Sequence, residues 1–361
     1  MNRKKIAVNL LPFDEKLTGT GYFFLRLFRE ILILDKVNFY ELHVSKRIPL
    51  IEEFRTFQNV SIIEHNIKDS KAQRIFYEQF IFPFKFKSDV LFSPSVAIPI
   101  LFRFSAKKYI TTIHDIVPFV FKKYGTVQQF YVETITRLSA LVSDKIITVS
   151  ENSKNDLKKY LNISEDKILV VYNTITPCDF NQKLIENKEN FFITVSTVQP
   201  GKNLIRLIEA FALFSETVKN YKLILVGNLG WQYEEIITLI NKLKLNDQVN
   251  FSGYVNDDEL ENLYRRAKAL VYVSLYEGFG IPPLEAMNYN CPVVVSNVSS
   301  IPEVVGEAGI YVNPYSVEDI ANGLHKSLGI NFDLFKLKAL EQVKKFNPKT
   351  EALKFLSELQ S

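Results

Sequence analysis

The chain has 361 residues, 47% hydrophobic and 23% charged, which suits two globular domains with large cores and excludes a disordered or low-complexity protein. Its net charge of +4 is split: residues 1–187 hold 27 Lys and Arg against 20 Asp and Glu, residues 188–361 hold 17 against 20. The two cysteines, Cys178 and Cys291, lie far apart in apolar settings and read as reduced, buried thiols.

Strand and helix patterns alternate along most of the length. "KIAVNLL" (Lys5–Leu11) reads as a buried strand, followed by a loop with Gly19 and Gly21 and an amphipathic helix over Tyr22–Leu34. Further strands are expected at Tyr40–Val44, Val60–His65, Asp89–Ser93, Tyr109–His114, Lys145–Ser150 and Lys167–Tyr172, with helices over Val127–Val142 and Glu151–Leu161. After a polar segment, Asn181–Asn190, the pattern restarts with a strand at Phe191–Thr197 and a helix at Lys202–Glu216. Strands at Tyr221–Gly227, Gln248–Val255, Ala269–Ser274, Cys291–Ser296 and Gly309–Asn313 follow. Two such runs predict an α/β protein of two doubly wound, Rossmann-like domains, 1–185 and 186–345, whose strand ends face a central crevice. No stretch approaches the ~18 apolar residues of a membrane span, and the N-terminal apolar run breaks too early for a secretion signal, so the protein is expected in the cytoplasm.

The segment "LYEGFGIPPLEAM" (Leu275–Met287) follows the strand "ALVYVS" at its carboxyl end. Gly278 and Gly280 allow a tight turn and close approach of a ligand to backbone amides. Pro282 and Pro283 suit the first turn of a helix starting near Ile281, whose N-terminus favours an anion such as phosphate. Glu277 and Glu285 bracket this turn, and carboxylates beside a phosphate site pair naturally with sugar hydroxyls. Phosphate between two sugars describes a nucleotide diphosphate sugar.

In that context the stretch resembles the Glu-x7-Glu signature of retaining nucleotide-sugar glycosyltransferases of the GT-B fold, family 4 (group 1). The resemblance spans nearly the whole chain. It includes "GTG" (Gly19–Gly21), "TIHDIVP" (Thr112–Pro118), "VSTVQPGKNLIRLIEAF" (Val195–Phe211), "LILVGNLGW" (Leu223–Trp231), the block Val249–Met287 and "SSIPEVVGEAGIYVNP" (Ser299–Pro314). It implies that Gly19 and Gly21 approach the donor diphosphate, that His114 contacts the transferred sugar, and that Glu277 binds donor-sugar hydroxyls. Glu285 would hold the ribose, Gly278, Phe279 and Gly280 would offer backbone to the phosphates, and "SGYV" (Ser252–Val255) would line the base pocket. Relatives usually carry an arginine beside the phosphate-binding lysine. Here Ser196, Thr197 and Gly201 occupy the corresponding places, leaving Lys202 as the side-chain counter-charge.

Asp115 either orients His114 or packs locally, and His43, His65 and His325 are left as structural or surface residues. No metal-ligand spacing and no Asp-x-Asp element occurs, so no metal cofactor is expected. Basic residues are not interleaved with aromatics in a nucleic-acid pattern. The wording of "GFGIPPLEAM" and "IHDIVP" resembles enzymes of O-antigen or capsule assembly that use GDP-mannose or deoxyhexose donors. The expected partners are therefore a nucleotide sugar and a glycan or lipid-linked oligosaccharide acceptor. A non-catalytic accessory subunit of the same fold is the competing reading. The basic first half, with Arg103, Lys107, Lys108, Lys122 and Lys123 near "IPILFRF" and "VPFVF", is expected to dock on anionic membrane. The last segment, Phe346–Gln360, is expected to be a helix crossing back to the first domain.

Overall fold

The computed structural model describes residues 3–15, 18–67, 70–121, 125–176, 178, 188–228, 230 and 233–360. The chain divides into two compact units, residues 1–174 with 346–361 and residues 175–345. The expected boundary at 185/186 lies outside the described residues. The division falls ahead of it because the chain is already tied to the second unit there: Asn288 donates to the Thr176 carbonyl at 3.1 Å and accepts from the Cys178 amide at 3.1 Å.

The first unit contains β1 (Lys5–Asn9), α1 (Gly19–Leu34), β2 (Phe39–Val44), β3 (Val60–Glu64), α2 (Lys71–Phe80), β4 (Ser88–Ser93), β5 (Ala106–Thr112), α3 (Val117–Val120), α4 (Thr126–Val142), β6 (Lys145–Thr148), α5 (Glu151–Leu161) and β7 (Ile168–Val170). Its strands form one sheet in the order β3-β2-β1-β4-β5-β6-β7, and every pairing is parallel. Ile6, Ala7 and Val8 are fully buried, as a strand covered by helices on both faces requires. Strand order reverses between β1 and β4, so their carboxyl ends flank the point where such sheets open for ligands.

One expectation changes in this unit. The glycine loop after β1 is the first turn of α1: the Tyr22 amide donates to the Thr18 carbonyl at 3.0 Å, closing that turn around Gly19 and Gly21. The cations expected to face a membrane stand beside carboxylates. Arg103 pairs with Asp144 at 3.0 Å, Lys107 with Asp89 at 2.8 Å and Lys108 with Glu358 at 2.6 Å; Lys122 and Lys123 lie outside the described residues. His43 and His65 are buried and joined at 2.9 Å, with His65 also 2.8 Å from the Tyr77 hydroxyl. Burial, helped by the neighbouring charges of His65 and Lys5, pushes His43 down to about 3.

The second unit contains β8 (Phe191–Val195), α6 (Leu204–Thr217), β9 (Lys222–Val226), α7 (Tyr233–Lys242), β10 (Val249–Gly253), α8 (Asp257–Arg266), β11 (Ala269–Tyr272), α9 (Ile281–Asn288), β12 (Val293–Ser296), α10 (Ile301–Val305), β13 (Gly309–Val312), α11 (Val317–Leu328) and α12 (Phe332–Lys345). Its sheet runs β10-β9-β8-β11-β12-β13, again all parallel, with the reversal between β8 and β11. Leu207, Ile208, Phe211 and Phe214 of α6 recur at helical spacing and pack on Phe192 of β8 and on Leu324 of α11 in one core. The helix α8 starts with a reciprocal cap between Asn256 and Glu259.

The final helix, α13 (Pro348–Gln360), belongs to the first unit. It packs along α1. Phe355 meets Phe92 of β4 with ring centroids 4.6 Å apart, and Glu351, almost fully buried, accepts from the Tyr172 amide at 2.9 Å.

Candidate active site

The loops after β8 and β11, the two strands at the reversal of the second sheet, supply the central pair of side chains. The loop after β8 ends in a short turn at Pro200–Lys202, and Asn203 follows in the left-handed conformation (φ 60°). Asn203 is buried, and its amide nitrogen donates to the carbonyls of Val273 (3.1 Å) and Pro314 (2.6 Å). The Leu275 amide donates to the Gly201 carbonyl at 2.8 Å. These bonds clamp one loop against the other and bring Lys202 to Glu277.

The Lys202 ammonium donates to Glu277 Oε1 at 2.6 Å, and the Tyr272 hydroxyl donates to the same oxygen at 2.7 Å. Both are short, charge-assisted bonds. The ammonium also lies 3.3 Å from the Tyr272 hydroxyl and over its ring. Burial opposes the charge on Lys202, but Glu277 and Tyr272 outweigh it and hold the ammonium above its ordinary value. Burial, then the Glu277 charge, raises the Tyr272 phenol. Lys202 is therefore charged at any working pH and Tyr272 is a neutral donor. With Oε1 occupied twice, Oε2 is the oxygen through which Glu277 can accept from a hydroxyl.

Backbone around Glu277 is held by two serines. Ser299 Oγ accepts from the Glu277 amide at 2.9 Å and donates to its carbonyl at 2.5 Å. The Ser300 hydroxyl donates to the Phe279 carbonyl at 2.7 Å and lies 2.9 Å from that of Glu277. Ser299 adopts a positive φ of 61°, a strained state for serine that these bonds enforce. Gly280 has φ 110°, and a Cβ there would come within 2.7 Å of Ile301 Cδ1, so glycine is required at this turn.

From Gly280 the chain enters α9 at Ile281, where the sequence placed the helix start. Pro282 and Pro283 carry no N–H, so the first-turn donors reduce to Gly280 and Ile281. Glu285 is half-buried on α9, and its charge adds to burial in raising the phenols of Tyr264 and Tyr289. Ser252 and Gly253 end β10, and Tyr254 follows it, 71% exposed. Among the described residues no group of three or more His, Cys, Asp or Glu converges as a metal site.

In the first unit, His114 follows β5 and Gly19–Gly21 open α1. The His114 ring reaches α1 further along: it stands edge-on to Phe23 (5.1 Å), and its Nε2 donates to the Pro94 carbonyl beyond β4 at 3.1 Å. Burial lowers His114 to about 4, so the ring is neutral. With the proton on Nε2, Nδ1 carries the lone pair. Asp115 accepts from the Val117 amide at 2.9 Å, a local turn bond that starts α3.

Sequence reasoning missed Tyr272, Asn203, Ser299 and Ser300. Tyr272 ends a buried strand and reads as core; only its alternation with Val271 and Val273 places it on one face. The two serines sit in "SNVSSIPE", where nothing in the spacing points to Glu277.

Family models match both halves: glycosyltransferase family 4 over residues 70–177 and glycosyl transferases group 1 over residues 176–344. The O-antigen chain mannosyltransferase RfbU of Salmonella typhimurium is 31% identical over 326 residues, covering 86% of this chain and 87% of the relative. The O-antigen chain mannosyltransferase B of Escherichia coli is 28% identical over 383 residues, covering 95% and 96%. Among solved structures, Anabaena HepE with UDP and glucose superposes with a TM-score of 0.77 at 16% identity, covering 99% of this chain and 100% of that one. The chain belongs to the group 1 glycosyl transferases. It is a glycosyltransferase, and its fold is GT-B.

Proposed function

We propose that the protein transfers mannose, or a related hexose or deoxyhexose, from a nucleotide diphosphate sugar to a lipid-linked glycan during assembly of a bacterial surface polysaccharide such as O-antigen, with retention of configuration. The observation that carries this reading is the placement of Lys202 and Glu277 on the two loops that flank the strand reversal, beside the α9 start. The relatives named as O-antigen mannosyltransferases favour mannose and therefore GDP-mannose.

In this mechanism Lys202 and the amides at Gly278–Ile281 neutralise the diphosphate. Glu277 Oε2 accepts a donor-sugar hydroxyl, and the carboxylate stabilises positive charge as the anomeric carbon–oxygen bond to phosphate loosens. The acceptor hydroxyl attacks from the same face, and its proton passes to the departing phosphate. Glu285 accepts from the ribose hydroxyls. His114, neutral, offers Nδ1 to a hydroxyl of the transferred sugar. No metal enters this scheme, so transfer should survive EDTA; loss on chelation with recovery on adding magnesium or manganese would overturn that part.

The test is a thermal-shift comparison of GDP-mannose, GDP-fucose, dTDP-rhamnose and UDP-glucose, followed by NMR of the product. GDP-mannose should stabilise the protein most, and the product should keep the donor's anomeric configuration. An inverted product, or no stabilisation by any nucleotide sugar, would sink the proposal.

A further inference from the structure

We infer that a surface of phenylalanines on the first unit inserts into an anionic lipid bilayer. Phe76, Phe80, Phe84, Leu101 and Phe104 are 43–63% exposed, and Phe102 joins their rings into one patch. Phe76 stacks on Phe80 at 4.9 Å, Phe80 meets Phe102 at 6.1 Å, and Phe84 meets Phe102 at 5.6 Å and Phe104 at 4.9 Å. Isolated exposed phenylalanines need no explanation, but a contiguous set marks a contact surface.

The patch is built rather than accidental. The Gln79 amide accepts from the Ile100 amide at 2.8 Å and donates to the Ile98 carbonyl at 2.9 Å. That clip lays the segment before β5 along the end of α2 and presents Leu101, Phe102 and Phe104 beside Phe80 and Phe84. The last turn of α2, the Phe82–Phe84 turn and the segment before β5 all lie where β4 and β5 begin. This is the amino edge of the sheet, opposite the carboxyl edge that carries His114 and the α1 start.

Charge selects the occupant. Residues 70–105 contain five basic side chains and two acidic ones. Of the acids, Glu78 is buried and Asp89 is paired with Lys107. Lys85 and Lys87, exposed on either side of the buried Phe86, flank the rings. Apolar rings fringed by lysines match the boundary between acyl chains and anionic headgroups. Among the described residues no helix is long and apolar enough to cross the bilayer, so the contact is interfacial. Of the basic set expected from the sequence, Arg103 lies between Phe102 and Phe104 and is paired with Asp144. The dock rests on the proposed lipid-linked acceptor for its purpose, but binding is measured without donor or acceptor.

The experiment is flotation of the full chain with vesicles of phosphatidylcholine alone or of equal parts phosphatidylcholine and phosphatidylglycerol. The protein should float with the anionic vesicles, and the triple variant Phe80→Ser, Phe84→Ser, Phe104→Ser should bind at least tenfold more weakly. Lys85→Glu with Lys87→Glu should weaken binding to a similar degree. As a check independent of removing apolar surface, the Phe104→Trp variant should blue-shift its fluorescence on anionic vesicles, over the background of Trp231. A wild-type chain left in solution, a serine variant that floats equally, or an unshifted signal from the introduced indole would overturn the inference. So would a wild-type dimer, seen by sedimentation, that the serine variant converts to a monomer. Vesicle binding without sugar transfer would instead count against the proposed activity alone.

Discussion

Glu277 Oε1 accepts from two donors, Lys202 and Tyr272, and their loss should act differently. Glu277→Gln removes the negative charge needed most in the transition state and should cut turnover at least tenfold, with near-normal kcat counting against its role. Lys202→Ala should weaken nucleotide-sugar binding by about 1.5–3 kcal/mol, or roughly ten- to a hundredfold, measurable by calorimetric titration. Tyr272→Phe removes only the hydroxyl that orients Glu277; it should lower kcat about three- to tenfold, the equivalent of one neutral hydrogen bond, while KM for the donor stays unchanged. A rise in KM with constant kcat would mean that Tyr272 touches the donor instead. A buried carboxyl elsewhere gives a stability test. Burial lifts Glu78 up to about 7, against the opposing pull of Arg74 and Asn9. Between its ordinary 4.5 and about 7 the folded chain holds a proton that the unfolded chain has released, so stability falls as pH rises through that window. Glu78→Gln should therefore stabilise the protein at pH 8 by up to about 3 kcal/mol and much less at pH 4.5, as read from melting temperatures at the two pH values.

At the scale of elements, strands and the α9 start were legible in the sequence because both rest on local signals: apolar runs five or so residues long, and a glycine followed by a proline pair. The α1 start was not, since Gly19 and Gly21 read as loop formers, and only Thr18 in an extended conformation reveals that helix closure begins before them. Helix α2 was obscured by its own composition, because Phe76 and Phe80 face outward and blur the apolar stripe. For the site, Glu277, Glu285 and Lys202 stood out by residue type and position, whereas Tyr272, Ser299 and Ser300 act through contacts between loops far apart in sequence. The turn before α9 is a point of low tolerance. Gly280→Ala places a methyl against Ile301 at a positive φ and should destabilise the chain by about 1–3 kcal/mol in urea unfolding. A change within error would show that the turn relaxes freely.

At the scale of the whole molecule the two units differ in how their chain is assembled. The second is continuous, residues 175–345, while the first takes α13 from beyond it. Phe355 is buried against Phe92, so Phe355→Ala should cost about 3–5 kcal/mol. In calorimetry this loss should fall on one transition, that of the first unit, leaving the other in place; equal displacement of both would show that the units unfold as one. The same arrangement has a consequence for biosynthesis. Domains fold as units while the chain emerges, and ordinarily the N-terminal one leads. Here the N-terminal sheet leaves the ribosome with the groove over α1 and Phe92 uncovered, and it waits through the making of all of the second unit before its own last helix arrives. The domain synthesised first is thus the one completed last.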